Sequence, residues 1–510
     1  MSQDIQLVIP MTGVGQRFVS SGYSDLKPLI QTGMGSMLNG VLRNFQSIIS
    51  PICIISNSHP QKSKLREEII TLRPQARIIE INAHKKGPSF AIWCAKEHLD
   101  LELPTIVNYC DFSGVWSETE LIKNLTKQDG LILTYQGFHP HRLRSNAYAY
   151  VKKDANDLVI DIQEKSSFTE DPLKEEVSSG TYGFKSARVM LSAIQKQLDN
   201  NISHSGEFYT SLTYIPMISE GLEIKSMLIE KFFQWGTPDD LEDFNFWCEL
   251  AKKKTSHRYQ PELANGLILA AGSGTRLAEF TNTPKPIIKV FGKSIWEYSG
   301  EVINACTNKF IFVRSQNEAL YDIKNFPSIT KLIIDYVTKS QAESAKKGLE
   351  MIQSKDLPVH ILAADNIFQN LKISDVTEIL KVNDLVVWVT NNYAIAKYNP
   401  SQFTWVDVDE MNQVTNVYFK DNCPKDNSLT ILGNFSFKST QMAEKVIEDV
   451  ISKSPVDSEA YLDHVIEYCL ENNYKVSVFD VNNSFSIGTK EEWLTFSYWQ
   501  ESFGISGQFI

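Results

Sequence analysis

The strongest constraint on this chain is that its motifs occur twice, in the same order. Leu7-Val-Ile-Pro-Met-Thr-Gly13-Val-Gly15-Gln-Arg17-Phe18 corresponds to Leu267-Ile-Leu-Ala-Ala-Gly272-Ser-Gly274-Thr-Arg276-Leu277, with Gly13 and Gly272 259 positions apart. Lys27-Pro28 and Lys285-Pro286 follow at an offset of 258, and Asp111 and Asp365, each ending an apolar run, at 254. Tyr148 to Lys165 aligns without a gap on Phe403 to Lys420 at 255, Gly180 on Gly433 at 253, and Glu207, Tyr209 and Gly236-Thr237 on Glu459, Tyr461 and Gly488-Thr489 at 252. The offset only falls along the chain, as a few small deletions between two diverged copies would make it fall; chance matches would scatter.

The repeat divides 510 residues into a domain at 1–252, a short polar linker at 253–263 and a second domain at 264–510. In the first copy, short apolar runs (Leu7 to Pro10, Ile52 to Ile55, Thr105 to Val107, Leu131 to Thr134) alternate with amphipathic stretches such as Ser89 to Leu99 and Glu118 to Leu125. That alternation predicts an α/β fold with a mostly parallel sheet covered on both faces. Tyr148 to Val151 and Leu158 to Gln163 read as an antiparallel hairpin interrupting it.

Composition narrows the function. Fifty Lys and Arg against 61 Asp and Glu leave a net charge of −11, which disfavours a nonspecific nucleic-acid or anionic-membrane binder and favours small molecules or proteins as partners. Seven scattered cysteines without a C-x-x-C pair form neither a disulfide framework nor a zinc cluster, so a reducing cytosol is expected. Neither a secretory leader nor an apolar run long enough for a membrane span is read.

A strand followed by Gly-x-Gly-x-Arg offers backbone N–H groups to an anion and an arginine to clamp it. Gly274 is not followed by Lys and Ser or Thr, so this is not a P-loop. Phe18 and Leu277 fill the place of a third glycine, so it is not a dinucleotide fingerprint either.

These residues resemble the nucleotidyltransferases that activate sugar phosphates and related phospho-alcohols. Leu269-Ala-Ala-Gly-Ser-Gly-Thr-Arg-Leu277 and Pro284-Lys-Pro286 reproduce the family signature, and the first copy is a variant keeping its glycines, arginine and lysine. The resemblance implies two tandem Rossmann-like (GT-A-like) domains, each a mixed sheet covered by helices. It implies that Gly13, Gly15, Gly272, Ser273, Gly274 and Thr275 wrap the triphosphate, with Arg17 and Arg276 on the departing pyrophosphate and Lys27 and Lys285 beside the reacting phosphorus. Asp111 and Asp365 match the Mg²⁺ position; Lys165 and Lys420 match the lysine at the acceptor phosphate. Glu164 matches a carboxylate on a substrate hydroxyl, and Gly180, Thr181, Gly433 and Asn434 fall beside that pocket. The implied reaction transfers a nucleoside monophosphate from a nucleoside triphosphate, CTP favoured, to a sugar phosphate or phospho-alcohol. Pyrophosphate is released, and the products feed surface polysaccharide synthesis. The nucleophile is already an anion, so Lys, Arg and Mg²⁺ are needed and a general base is not.

The copies depart from the pattern at identifiable places. Gln234 and Ser486 stand where the family has a second metal-binding aspartate, so that the metal is held either through one carboxylate and the phosphates or with a contribution from Asp239 and Asp240, and Phe419 stands where the first copy has Glu164. Asp407-Val-Asp409 resembles the metal-chelating pair of a glycosyltransferase, but its register against Lys152-Lys-Asp154 reads as a solvated turn. His139 and His141 read as surface or substrate-lining residues, and the aromatic group Phe232, Phe233, Trp235, Phe244, Phe246 and Trp247 as packing from a helix on the sheet. The rival functions are one catalytic copy beside a regulatory or structural one, and a glycosyltransferase of related fold. A homo-oligomer is compatible with all of them.

Overall fold

The computed structural model describes residues 5–145, 148–252, 261–272, 274–369, 371–391, 393–420, 425, 427–454, 460–481 and 483–504, with the backbone alone of Thr275. The chain forms two compact units, Met1–Glu249 and Leu250–Phe509. Of the expected linker, residues 253–260 lie outside the described residues, and Glu262 already begins a strand.

The first unit is built on a nine-stranded sheet. Its strands are β1 (Gln6–Met11), β2 (Ile52–Ser56), β3 (Arg77–Ile81), β4 (Thr105–Asn108), β5 (Gly130–Tyr135), β6 (Ala149–Lys153), β7 (Val159–Glu164), β8 (Glu176–Phe184) and β9 (Ile224–Leu228). They lie in the order β3-β2-β1-β4-β8-β5-β9, with the β6–β7 hairpin joined through β6 to β8. All neighbours along this order are parallel except β8, which runs antiparallel to β4 and β5.

The second unit holds β10 (Glu262–Leu269), β11 (Cys306–Arg314), β12 (Ile329–Ile334), β13 (Val359–Ala363), β14 (Leu385–Thr390), β15 (Trp405–Val408), β16 (Val414–Tyr418), β17 (Leu429–Phe437) and β18 (Val476–Asp480). Their order, β12-β11-β10-β13-β17-β14-β18 with β15–β16 on β17, is that of the first unit strand for strand. The sequence-predicted strands and hairpin fall on the observed ones with end shifts of one or two residues, and the amphipathic Glu118–Leu125 is a helix over those residues. Ser89 to Leu99 instead breaks into a helix at Pro88–Cys94 and a short 3₁₀ turn at Lys96–His98.

Each sheet is buried on both faces because successive side chains of an apolar strand point to opposite sides. Leu7, Ile9, Cys53 and Ile55 pack in one core of the first unit, while Val8, Ile52 and Ile54 pack in the other. Leu267 and Phe312 likewise oppose Ile268, Ile311 and Val313 in the second. The helices on these faces start at side-chain caps in matching places: Ser36 and Ser294 open Met37–Leu42 and Ile295–Ile303, and Ser186 and Ser439 open Ala187–Asp199 and Thr440–Lys453.

Two expectations are corrected by burial. His139 and His141 are only 6% and 5% exposed, and His141 Nε2 lies 3.0 Å from the Tyr135 hydroxyl within the aromatic core, so neither faces a substrate. Of the aromatic group, Phe232 and Phe233 belong to a strand, Lys231–Gln234, fully buried Trp235 follows it, and Phe244, Phe246 and Trp247 belong to the helix Pro238–Ala251; the set packs, but not from one helix.

In the second unit His360, fully buried, pairs through Nδ1 with Ser436 Oγ at 2.8 Å. Burial lowers the pKa of His139 and of His360 to about 3 and that of His141 well below its usual value, so all three rings are neutral in the fold. An unfolded histidine titrates near pH 6.5, so the unfolded chain gains protons that the folded one refuses as pH falls below that value. At pH 5.0 each ring then costs about 2 kcal/mol of stability relative to pH 7.5. Asp240, raised to about 6 by burial, returns about 1.4 kcal/mol over the same interval. Thermal unfolding followed by circular dichroism is expected to lose less stability between pH 7.5 and pH 5.0 in His360→Asn than in the parent chain; an equal loss in both would mean that this ring is protonated in the fold.

Candidate active site

Parallel sheets of this kind open a crevice at the carboxyl ends of the strands where successive connections leave in opposite directions. In the first unit β1 connects to β2 on one side while β4 lies on its other side, so the crevice is bordered by the turns after β1 and β4. The turn after β1 carries Gly13 and Gly15, and the turn after β4 carries Asp111.

The glycines have separate physical roles. Gly15 and Gly274 adopt φ of 68° and 69°, the left-handed region that a side chain disfavours. A Cβ on Gly15 would also come within 3.2 Å of the Lys27 Cβ. Gly13 and Gly272 have no such need: a Cβ at either would touch nothing within 4 Å. The fold does not require glycine there, whereas close approach of a ligand to the backbone would. Arg17 and Arg276 are exposed on the turns just beyond. Ser273 lies outside the described residues.

Across the crevice Lys27 Nζ donates to Asp111 Oδ2 at 2.8 Å and lies 3.3 Å from the Gly236 carbonyl. Lys285 pairs with Asp365 in the same way, and in both pairs the lysine side chain is 18% exposed. A half-buried ammonium on a carboxylate, open toward a glycine turn, is a preformed anchor for phosphate oxygens.

Gln234 and Ser486 stand beside these aspartates. The Asp111 carbonyl accepts from Trp235 N at 2.9 Å, and Asp365 from Ile487 N at 3.0 Å, while Gln234 and Ser486 pair across strands with Phe112 and Asn366. Each carries a neutral side-chain oxygen in place of a carboxylate, an amide in Gln234 and a hydroxyl in Ser486. Asp240 is taken up elsewhere: it accepts from Thr237 Oγ1 at 2.7 Å and faces Arg144 at 3.4 Å. Among the described residues no three His, Cys, Asp or Glu side chains gather as a metal cluster. The donor set at each site, one carboxylate with a neutral oxygen beside it, fits Mg²⁺, which keeps waters and takes further oxygens from phosphates.

The residues expected at the acceptor lie past the β6–β7 hairpin. Lys165, in the left-handed region at φ 60°, extends its Nζ to the Tyr209 hydroxyl at 3.0 Å. Glu164 Oε2 accepts from Ser211 Oγ at 2.6 Å, and burial raises its pKa. Gly180 turns β8 at φ 100°, where a Cβ would lie 2.8 Å from the Phe112 ring. Its carbonyl accepts from Tyr109 N, and the Tyr109 hydroxyl accepts from Thr210 N, which ties the Asp111 turn to the Tyr209–Ser211 turn. In the second unit Lys420 lies over the Tyr461 ring, its Nζ 3.6 Å from the centroid, and Gly433 again has positive φ.

Two expected pocket residues do not line it. Thr181 is fully buried with its hydroxyl on Asn108 Oδ1 at 2.6 Å, and Asn434 is fully buried, accepting from Ala363 N at 2.8 Å. Both brace the end of the aspartate-bearing strand from below. Asp407 is likewise engaged, accepting from Ser428, Tyr418 and Lys425, while Asp409 closes the turn to Met411 and Gln413, so the D-x-D pair is a hairpin turn. Sequence reasoning missed Thr404, Asp463 and His464, which stand around Phe419 and Lys420.

Residues 265–501 match the model of the nucleotidyl transferase family. A low-salt glycan biosynthesis nucleotidyltransferase of Haloferax volcanii, Agl11, is 25% identical over 221 residues, covering 40% of this chain and 60% of the relative, so the match spans less than two thirds of that protein. Among solved structures, a nucleoside-diphosphate-sugar pyrophosphorylase from Vibrio cholerae aligns with a TM-score of 0.40 at 22% identity, covering 47% of this chain and 98% of that one. An inositol-1-phosphate CTP transferase from T. maritima aligns at 0.37 and 17% identity, covering 48% and 98%.

The glycine geometry makes a paired prediction. Gly15→Ala is expected to cost about 1–2 kcal/mol through its left-handed backbone, and Gly13→Ala to leave the unfolding midpoint unchanged while weakening the binding of inorganic pyrophosphate, read by calorimetry. Unaltered pyrophosphate binding in Gly13→Ala would remove that turn from the site.

Proposed function

From a nucleotidyl transferase family match over residues 265–501 and a first unit with the same strand order, we propose that both units are nucleotidyltransferases, diverged copies of one ancestor. Each transfers a nucleoside monophosphate from a nucleoside triphosphate, with CTP as first choice, to a sugar phosphate or phospho-alcohol used in surface polysaccharide synthesis. The observation that carries this reading is the repeated ion pair, Lys27 with Asp111 and Lys285 with Asp365, each beside a left-handed glycine turn.

In the reaction a phosphate oxygen of the acceptor forms a bond to the α-phosphorus, the α–β anhydride bond breaks, and pyrophosphate leaves. Gly13–Gly15 and Gly272–Gly274 present backbone to the triphosphate, and Arg17 and Arg276 meet the departing pyrophosphate. Lys27 and Lys285 offset the repulsion between nucleophile and phosphorus, where a preorganised cation stabilises developing charge. Lys165 and Lys420 hold the acceptor phosphate. Asp111 and Asp365 would hold Mg²⁺, with Gln234 and Ser486 beside them; the metal supplies further charge neutralisation on the phosphates.

The test is pyrophosphate release with Mg²⁺, each of CTP, UTP, dTTP, GTP and ATP, and a panel of sugar 1-phosphates and phospho-alcohols. Lys27→Ala and Lys285→Ala are each expected to lower a different activity by roughly 10²–10³-fold, and chelation by EDTA to abolish both. Full turnover of every substrate in Lys285→Ala would leave the first unit as the sole enzyme, and no release across the panel would overturn the reading.

A further inference from the structure

The acceptor sides of the two units contain the same chemical pair built the other way round. In the first unit the carboxylate comes from the end of β7, Glu164, and the hydroxyl from the turn before Tyr214–Ser219, Ser211; the two are 2.6 Å apart. In the second unit the position of Glu164 is held by Phe419, and that of Ser211 by Asp463, at the constant offset of this region. Asp463 accepts from Thr404 Oγ1, also at 2.6 Å, and Thr404 stands where the first unit has Ala149, the residue paired across the hairpin with Glu164. Strand and turn have exchanged the acid and the hydroxyl.

Neighbouring groups indicate that the exchange concerns a ligand. Asp463 precedes the helix His464–Glu471 but makes no capping bond to it, so its carboxylate is not spent on the helix end. Lys420, Arg276 and the His464 ring all act on it electrostatically. Lys420 keeps its seat over Tyr461 as Lys165 does over Tyr209, so the lysine on its tyrosine stays while the carboxylate is carried by the turn instead of the strand. Where Leu212 is buried in the first unit, His464 is half-buried and meets the Phe419 ring edge-on at 4.7 Å, adding an aromatic surface.

We propose that Asp463, held by Thr404, binds a hydroxyl of the phosphorylated acceptor in the second unit, as Glu164 does in the first, so that the two units select different sugar phosphates or phospho-alcohols. This rests on the reading of both units as nucleotidyltransferases. A carboxylate carried by the turn, with Phe419 in the place of Glu164 and the His464 ring in the place of Leu212, gives the second pocket a wall of different shape, so an acceptor fitted to one pocket does not fit the other equally.

The full-length chain tests it in two backgrounds, Lys27→Ala to isolate the second unit and Lys285→Ala to isolate the first. Pyrophosphate release is measured with α-D-glucose 1-phosphate, myo-inositol 1-phosphate, glycerol 3-phosphate and D-ribitol 5-phosphate. The two backgrounds are expected to prefer different acceptors. For the second unit's best acceptor, Asp463→Asn is expected to raise KM tenfold or more while the KM for the nucleotide stays within twofold, with partial recovery in Asp463→Glu and a smaller rise in Thr404→Val. An acceptor KM within twofold of the parent, or an equal rise in both KM values, overturns the proposal, the second result marking a structural role. If the Lys27→Ala chain turns over none of the panel, the functional reading of the second unit fails separately. The proposal is then decided by calorimetric binding of the same four compounds, and no binding, or binding indifferent to Asp463→Asn, overturns it.

Discussion

One ammonium on one carboxylate organises each unit. Lys27 joins three segments at once: its own 3₁₀ turn after the glycine loop, the Asp111 turn after β4, and the Gly236 carbonyl before the helix Pro238–Ala251. Lys285 repeats this with Asp365, lying also beside Gly488 and the Glu492 carboxylate. Glu492 is itself held by Gly488 N, Thr489 N and the Tyr393 hydroxyl. A half-buried ion pair of this kind contributes little net stability, since desolvation offsets attraction, yet removing one partner leaves the other uncompensated. Its value is positional: it fixes the mouth of the crevice before any ligand arrives. In a chain of net charge −11, a polyphosphate meets an unfavourable overall field, and the few cations placed at the glycine turns must overcome it locally.

The fold was legible because it is written in periodicities that local chemistry enforces. Apolar runs such as Leu7 to Pro10 and Ile52 to Ile55 had to be strands buried on both sides, and the structure extends them only to Gln6–Met11 and Ile52–Ser56. Ser117 begins a helix at Glu118 by accepting from Glu120 N, a signal contained in four consecutive residues. What sequence could not supply was depth. His139 and His141 look like loop residues because Pro140 separates them, but a 3₁₀ turn folds them against Tyr135 and Phe232, and only long-range packing decides that. Thr181 and Asn434 sit at the right register beside the expected pocket, yet strand alternation turns both inward, where each satisfies a buried polar partner.

The candidate site was legible in its backbone-determined parts and opaque in its side-chain walls. Glycines, the lysine after the turn and the strand-end aspartate occupy positions that topology brings together, so alignment of the copies was enough to name them. The contact between Lys27 and Asp111 spans 84 positions and carries no local signature. The acceptor wall escaped for a different reason. Compared position by position, Phe419 reads as the loss of Glu164, because the carboxylate found near it, Asp463, lies on another element, more than forty residues away, with Thr404 as its partner.

Compensation of that kind conserves charge while changing shape. Each place holds one lysine on a tyrosine and one carboxylate on a hydroxyl, so the count of these charges is the same in both units. Loss of the carboxylate at Phe419 without gain at Asp463 would have left the acceptor side a unit of charge more positive, favouring any phosphate and discriminating none. Gain without loss would have made it more negative and opposed phosphate entry. The paired change keeps that count and alters which element carries the acid and which the hydroxyl. On the proposed function, this wall is where acceptor selection diverged between the units while the glycine turns and the Lys–Asp pairs stayed fixed.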